Sequence, residues 1–226
     1  SSTIHAYGTN LMLVHSGLAH CKGLGEIEGA LRLAKPMFGV TRVTLSTGQQ
    51  LTARAVLIAT GSTYRRTGVD GEDDLIGAGI HFCATCDGPF YKGAGEVVVL
   101  GGGNSGFEEG LFLTQFADHV TIVERSASPR ASRLLQDKVS DHERMTVLTE
   151  TSVVRFNAGD DGKLASLTLA GTDGAETDHA ASGVFVFIGL DPNTGWLDGL
   201  VDLDHVGFVT TNRMMESSVP GIFAAG

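Results

Sequence analysis

The predicted fold is decided by Val97-Val98-Val99-Leu100-Gly101-Gly102-Gly103-Asn104-Ser105-Gly106. Its four apolar residues predict a strand buried on both faces, and apolar residues from Phe107 to Phe116 recur at helical spacing. A Gly-x-Gly-x-x-Gly pattern between a strand and a helix is typical of a turn that holds a dinucleotide pyrophosphate. Gly101 would allow the tight turn, Gly103 the approach of backbone amides to phosphate, and Gly106 the packing of helix on strand.

Residues beside this glycine loop bear on which nucleotide is bound. Asn104 or Ser105 is expected to cap the helix, whose amides and dipole would stabilise the phosphate charge. Glu124 ends the next predicted strand, where a carboxylate accepts hydrogen bonds from the 2′-hydroxyl of NADH. It would repel a 2′-phosphate by about 1–4 kcal/mol, whereas Arg125 and Arg130 can pair with that phosphate. The choice between NADPH and NADH therefore stays open.

A possible redox pair, Cys83-Ala84-Thr85-Cys86-Asp87, precedes the glycine loop. One thiolate would attack a partner disulfide and the other would resolve the mixed disulfide. A zinc half-site, an inert buried pair and an oxidation sensor without turnover are the alternatives; zinc would need two more ligands, and Cys21 is interpreted as structural. Asp87 fits a proton-transferring acid as well as a helix cap. His81 is interpreted as a loop histidine, with a role near the dithiol as the alternative, and no metal site is expected.

The composition is that of a globular protein. Hydrophobic residues make up 42% and charged residues 19% of 226 residues, enough for a buried core. A net charge of -10 provides no basic surface for nucleic acid or an anionic membrane. No apolar run reaches the roughly 20 residues of a membrane span, and no signal peptide is visible. One Cys-x-x-Cys among three cysteines indicates a reducing compartment, which we take to be the cytoplasm.

The remaining patterns predict an α/β fold with an antiparallel excursion. The cluster Glu72-Asp73-Asp74 is interpreted as a solvated loop. A second helix is predicted over residues 132–143, and hairpin turns are predicted at residues 47–50 and 159–162. Strands are predicted at residues 11–14, 42–46, 51–54, 55–59, 97–100, 119–123, 146–148, 153–156, 164–169, 183–188, 206–210 and 222–225.

Five stretches together resemble low-molecular-weight thioredoxin reductase, over residues 56–226. They are Cys83-Ala84-Thr85-Cys86-Asp87-Gly88-Pro89-Phe90-Tyr91, Val97-Val98-Val99-Leu100-Gly101-Gly102-Gly103-Asn104, Ile58-Ala59-Thr60-Gly61, Gly189-Leu190-Asp191-Pro192-Asn193-Thr194 and Val219-Pro220-Gly221-Ile222-Phe223-Ala224-Ala225-Gly226. The resemblance implies a Rossmann-like NAD(P)-binding domain, residues 68–188, which carries the Cys-x-x-Cys. This domain would be inserted into a partial FAD-binding domain of similar fold, residues 1–67 and 189–226.

The resemblance also implies a mechanism and a set of site residues. Hydride would pass from NADPH or NADH to FAD, then to the disulfide, then to thioredoxin or a thioredoxin-like protein, while the domains rotate. Cys86 would face the flavin, Cys83 would be offered to thioredoxin, and Asp87 would be the acid. The complete protein would be a homodimer. The implied nucleotide and flavin contacts are Gly101, Gly103, Asn104, Ser105, Gly106, Glu124, Arg125, Arg130, Thr60, Gly61 and Gly226.

The chain departs from this family pattern in three places. The family's phosphate clamp reads His-Arg-Arg with an Arg four positions on, whereas this chain has Glu124-Arg125-Ser126 and Arg130. No first glycine loop for FAD precedes Leu11, and the expected segment after Gly226 is missing, so a truncated chain is predicted. The alternatives are the NADH-dependent flavoprotein component of alkyl hydroperoxide reductase, which Glu124 favours, and a flavin-free NAD(P)-binding module that senses redox state.

Overall fold

The structure is a computed structural model, and it describes residues 2–7, 10–15, 27–29, 31–37, 40–45, 48–197 and 199–225. Side chains are described for residues 41–44, 48–197 and 199–225. Cys21 and Gly226, which the sequence singled out, lie outside the described residues.

The chain begins with strands and continues into an alternation of strands and helices. The first strands are β1 (Ser2–Tyr7), β2 (Asn10–His15), β3 (Ile27–Gly29), β4 (Leu31–Met37), β5 (Val40–Leu45), β6 (Gln50–Ala53), β7 (Ala55–Ala59) and β8 (Ser62–Tyr64). The middle contains α1 (Glu72–Leu75), β9 (Ile80–His81), α2 (Ala84–Asp87), a 3-10 helix (Gly88–Tyr91), β10 (Glu96–Leu100), α3 (Asn104–Leu113), β11 (His119–Val123), α4 (Arg133–Ser140), β12 (Met145–Leu148), β13 (Thr151–Ala158), β14 (Leu164–Gly171), β15 (Glu176–Ala180) and β16 (Gly183–Val186). The last elements are β17 (Leu190–Pro192), a 3-10 helix (Gly195–Leu197) and β18 (Ile222–Ala224).

The chain divides into two compact units. The split unit comprises Ser1–Thr63 and Leu190–Gly226, and the inserted unit comprises Tyr64–Gly189. The α/β fold class predicted from the sequence is confirmed. The assignment of residues 68–188 to NAD(P) and of residues 1–67 and 189–226 to FAD stays a prediction.

The inserted unit is built on a parallel five-stranded sheet with the order β12-β11-β10-β16-β9. Successive residues of β10 point to opposite faces, so Val97 and Val99 pack in one apolar cluster with α3 and α4. Val98 and Leu100 pack in a second cluster with β13 and β14. Both faces of β10 are therefore buried, which explains its uninterrupted apolar sequence.

An antiparallel sheet with the order β13-β14-β15 covers one face of that parallel sheet. The predicted hairpin around residues 159–162 is confirmed, because β13 pairs with β14 through Phe156 and Leu167. Gly162 has φ 74°, a conformation that favours glycine in the turn.

The split unit contains a five-stranded sheet with the order β18-β7-β2-β1-β3 and a three-stranded sheet with the order β4-β5-β6. The predicted hairpin is confirmed, with Thr44 opposite Gln50. The central strand β7 runs parallel to β2 and β18, and it buries Val56 and Ile58 together with Ile222. Its carboxyl end therefore lies beside that of β18.

The strand predicted at residues 206–210 is wrong. These residues form no strand; Asp204 instead accepts backbone hydrogen bonds from Val206 and Phe208, which closes a turn.

The interpretation of Glu72 as part of a solvated loop is also wrong. Glu72 is buried at 3% exposure, and its carboxylate accepts the backbone N–H groups of Thr67 and Gly68. Burial alone would raise the pKa of Glu72, but these hydrogen bonds hold that pKa below its ordinary value.

In the part of the chain that the structure describes, no helix has the length and hydrophobicity to cross a membrane.

Candidate functional site

The two cysteines of the predicted redox pair form a disulfide, with their Cα atoms 5.3 Å apart. Cys83 is the N-cap of α2, and its Sγ accepts the backbone N–H of Cys86 at 3.1 Å. Cys86 is exposed and Cys83 is half-buried, so the interpretation as an inert buried pair is wrong. After reduction, the N–H of Cys86 would stabilise a thiolate on Cys83.

No metal centre accompanies this disulfide within the described residues, which contain no group of three or more His, Cys, Asp or Glu suited to a metal. Both sulfurs are bonded to each other, so the zinc interpretation has no support from the geometry.

Asp87 directly follows Cys86, and its backbone N–H donates to the carbonyl of Cys83 at 3.1 Å. Its side chain makes no capping hydrogen bond with the 3-10 helix that follows, so the helix-cap interpretation is not supported. Its Oδ2 lies instead 3.4 Å from Nδ1 of His81. The carboxylate is therefore held by a side chain of the neighbouring strand.

His81 lies on β9, so its interpretation as a loop histidine is wrong. Its Nε2 is 2.6 Å from the hydroxyl of Tyr91, and its ring packs against Phe185. Burial lowers the pKa of His81, although the charge of Asp87 opposes this shift. Burial, together with the charge of Asp87, raises the pKa of Tyr91 to about 12. Asp87, His81 and Tyr91 thus form a row of polar contacts beside the disulfide.

The glycine loop has a different steric constraint at each glycine. Gly101 has φ 121°, and a Cβ there would overlap the carbonyl of Phe187. A Cβ on Gly106 would overlap the carbonyl of Gly101, so this glycine lets α3 pack on the loop. Gly103 has no atom within 4 Å of an added Cβ. The space in front of Gly103 is therefore open to a ligand.

The predicted helix caps are wrong. Gly103 is the N-cap of α3 and provides no side-chain hydrogen bond. Asn104 Oδ1 instead accepts the N–H of Ser132 at 2.7 Å, which fixes the segment before α4, and Ser105 is exposed in the first turn. The first amides of α3 thus have no side-chain cap and remain suited to an anion.

Glu124 is buried at 5% exposure beside the glycine loop. Its Oε2 accepts the N–H of Gly102 at 2.7 Å, and its Oε1 accepts the N–H of Ser126 at 2.7 Å. Burial acts to raise the pKa of Glu124, but these hydrogen bonds and the charge of Arg130 leave it lowered. The carboxylate is therefore ionised and fixed at the carboxyl end of β11.

Arg125 and Arg130 follow Glu124 and are exposed. Neither guanidinium forms an ion pair within the described parts of the chain. The N–H of Arg130 donates to the carbonyl of Gly102 at 2.8 Å, so the backbone at Arg130 is attached to the loop. The structure thus brings an anionic carboxylate and two cationic side chains to one edge of the predicted nucleotide site.

The split unit has a pocket of about 200 Å³ at the carboxyl ends of β7 and β18. Thr60 and Gly61 line it, together with Ala225 from the end of the described chain. Asn193 holds this edge, because its side-chain amide donates to the carbonyl of Thr60 and its N–H donates to the carbonyl of Gly61, both at 3.0 Å. Two stretches far apart in sequence thus form one site.

The lining of this pocket would suit part of an FAD molecule. Apolar residues line it together with Thr60, Thr194 and Thr211, and a Cβ added at Gly61 would meet no atom within 4 Å. The volume of about 200 Å³ is smaller than the roughly 300–1,000 Å³ of a pocket for a whole ligand. The described residues of the split unit contain no glycine loop between a strand and a helix for the flavin's pyrophosphate. The residues present would thus form at most one side of a flavin site.

Two residues of these sites, Tyr91 and Asn193, were given no role from the sequence and were noted only within stretches that resemble the family. His81 was placed in a loop, with a role near the dithiol as the alternative. The rings of His81, Tyr91 and Phe185 contact one another but belong to three different elements. Only the fold brings these rings together. The one usable signal was the closeness of His81 and Tyr91 to the cysteines in sequence.

Comparison with known proteins gives the same family from sequence and from structure. The profile described as pyridine nucleotide-disulphide oxidoreductase matches residues 18–226. Thioredoxin reductase of Bacillus subtilis is 41% identical over 186 residues, which are 82% of this chain and 58% of that protein. Thioredoxin reductase of Listeria innocua is 43% identical over 175 residues, 77% of this chain and 54% of that protein.

A solved structure agrees. The crystal structure of Lactococcus lactis thioredoxin reductase superposes with a TM-score of 0.75 at 30% identity, over 88% of this chain and 65% of that one. This chain thus spans a little over half the length of the curated relatives it matches. The chain belongs to the pyridine nucleotide-disulphide oxidoreductases and, within them, to the low-molecular-weight thioredoxin reductase family.

Proposed function

We propose that the protein containing this chain passes electrons from NADH or NADPH, with FAD, to the Cys83–Cys86 pair and on to a protein disulfide. The observation that carries this proposal is the accessible Cys83–Cys86 disulfide in the same unit as an open glycine loop. Thioredoxin or a thioredoxin-like protein in the cytoplasm is the proposed partner, and the complete protein is proposed to be a homodimer. The relatives named thioredoxin reductase support this choice.

The thiol chemistry requires a reduced pair and a partner disulfide. The Cys83 thiolate attacks one partner sulfur, forms a mixed disulfide and releases a partner thiolate. The Cys86 sulfur then attacks the Cys83 sulfur as it loses its proton, which re-forms the Cys83–Cys86 bond and releases the second partner thiolate. Two electrons leave the pair, and two protons must reach the partner. Asp87 is the nearest carboxylate in sequence to move a proton during these steps.

FAD, when bound, would accept hydride from a nicotinamide and provide the two electrons that open the disulfide. Thr60, Gly61 and Ala225 would form one side of its site, because they line the pocket of the split unit. Gly101, Gly103 and Gly106 would hold the nucleotide pyrophosphate in the inserted unit.

An anaerobic visible-spectrum titration of the purified chain, supplied with FAD, tests the proposal. A yellow protein that bleaches on addition of NADPH or NADH and then reduces thioredoxin supports it and identifies the nucleotide. A chain that stays colourless with added FAD is either an incomplete reductase or only a nucleotide-binding module. A chain that bleaches without reducing any disulfide argues against the proposal.

The buried Glu124 favours a second candidate, the NADH-dependent flavoprotein component of alkyl hydroperoxide reductase. The same titration separates the two, because that component would bleach with NADH and would not depend on thioredoxin as acceptor.

Glu124→Gln is expected to shift nucleotide preference toward NADPH. The fixed carboxylate next to Gly102 repels a 2′-phosphate, so neutralising it should raise NADPH affinity relative to NADH about tenfold. Quenching or enhancement of nicotinamide fluorescence measures both affinities. Arg130→Met is the matched control, because it should weaken the binding of NADPH and leave the binding of NADH unchanged. An unchanged NADPH-to-NADH ratio in Glu124→Gln would show that the carboxylate only holds the loop.

Phe90→Ala is expected to weaken binding of a protein partner. Phe90 is 80% exposed on the 3-10 helix directly after the dithiol helix, and burying such a ring in an interface is worth about 1.5–3 kcal/mol. The KM for thioredoxin should therefore rise about tenfold or more, whereas reduction of a small aromatic disulfide reagent should not change. Leu134→Ala removes another exposed apolar side chain, on α4, and should leave both substrates unaffected. Equal effects on both disulfides would argue against a docking role.

A further inference from the structure

The row of polar contacts from Tyr91 through His81 to Asp87 has a direction. Nδ1 of His81 lies 3.4 Å from Oδ2 of Asp87 and can donate to this carboxylate only if it carries the proton. Nε2 of a neutral His81 is then an acceptor, and the hydroxyl of Tyr91, 2.6 Å away, must donate to it. Each group in the row thereby has one defined partner.

The ionisation states agree with this direction. Burial raises the pKa of Tyr91, so its hydroxyl keeps the proton that it donates. Burial also lowers the pKa of His81, so the imidazole stays neutral near pH 7. The titratable groups that face His81 in the described structure are Asp87 from α2 and Tyr91, while β16 contributes the uncharged ring of Phe185.

The rings of this row are held by packing. His81 and Tyr91 both contact Phe185, at ring-centroid distances of 5.3 and 5.5 Å. A Cβ on Gly183 would overlap the ring of Tyr91, so the glycine makes room for it. The imidazole therefore has little freedom to rotate away from Asp87.

We propose that His81 and Tyr91 are positioning residues that orient the Asp87 carboxylate for proton transfer at the Cys83–Cys86 pair. This proposal rests on the proposed function. With Oδ2 held by His81, the Oδ1 oxygen of Asp87 remains for the thiol of Cys86. As the Cys86 sulfur attacks Cys83 in the mixed disulfide, its proton passes to Oδ1. Asp87 then gives that proton to the departing partner thiolate, and the partner thiolate released in the first attack takes its proton from solvent, so the two electrons and two protons balance.

The test uses thiol–disulfide exchange, which needs neither flavin nor nucleotide. The purified chain is reduced with dithiothreitol, freed of reagent and mixed with oxidised thioredoxin at a series of pH values. His81→Leu, which removes the donor, should slow exchange about tenfold, a part of the 10²–10⁴-fold typical of proton transfer by a side chain. His81→Gln should recover most of this loss, because its amide N–H can donate to Asp87.

Tyr91→Phe tests the far end of the row. It keeps the ring against Phe185 but removes the donor to Nε2, so His81 should protonate at a higher pH, measured by imidazole NMR. The pH profile of exchange should change in the same range. His119→Gln, which alters an imidazole on β11 that contacts Thr146, should leave the rate and the profile at wild-type values.

Each result decides the proposal. Slow exchange in His81→Leu with recovery in His81→Gln supports it. Wild-type exchange in His81→Leu, or equal losses in both variants, would reduce His81 to a packing residue and overturn it. A wild-type dithiol that fails to reduce thioredoxin overturns the proposed function itself, and the relay with it.

Discussion

Cys86→Ser is expected to lower disulfide reduction at least about 10³-fold, in line with the loss seen when a catalytic nucleophile is removed. The serine hydroxyl neither forms the disulfide nor resolves a mixed disulfide, so turnover stops after the first attack. Nicotinamide fluorescence should show nucleotide binding at wild-type affinity, because the glycine loop is formed by other elements of the inserted unit.

The variant also reports which cysteine meets the partner. If Cys83 is the attacking thiol, Cys86→Ser should accumulate a stable mixed disulfide with thioredoxin, visible by non-reducing electrophoresis or mass spectrometry. Cys83→Ser should form none. Thr85→Ser changes the exposed residue between the two cysteines and should behave as wild type. Unaltered turnover in Cys86→Ser would remove the dithiol from the mechanism, and trapping only in Cys83→Ser would reverse the two roles.

The local sequence was enough to predict the structure at the centre of the inserted unit, which is β10 and the glycine loop after it. The apolar run of β10 has to be buried on both faces, and the glycine spacing after it has few structural solutions. Both features depend on neighbours in sequence, so the local sequence alone predicts them. The hairpin at residues 159–162 was predictable for the same reason.

Features that depend on tertiary contacts were missed. Glu72 looked solvated within an acidic cluster, but backbone N–H groups and Arg66 compensate for its burial. The helix cap was assigned to Asn104 or Ser105, but Asn104 instead reaches Ser132 in a segment 28 positions away. His81 became informative only when β9 placed it between Asp87 and Tyr91.

Gly103→Ala and Gly106→Ala are expected to separate ligand binding from folding. Gly103 has φ -86°, which alanine adopts without strain, and its Cβ would meet no protein atom within 4 Å. The melting temperature of the Gly103→Ala variant should therefore match that of the wild type. The added methyl group would occupy the space proposed for pyrophosphate and keep the backbone amides from it. Losing one hydrogen bond to a charged group costs about 1.5–3 kcal/mol, so nucleotide affinity should fall tenfold or more.

Gly106→Ala should behave differently, because its Cβ would overlap the carbonyl of Gly101 and push α3 away from β10. Overpacking of this kind costs about 1–3 kcal/mol, so thermal unfolding should occur at a lower temperature and nucleotide binding should fall with it. Gly195→Ala, at an open glycine of the split unit, should change neither property. If Gly103→Ala binds NADH and NADPH as tightly as the wild type, the glycine loop is only a structural turn, and the nucleotide site lies elsewhere.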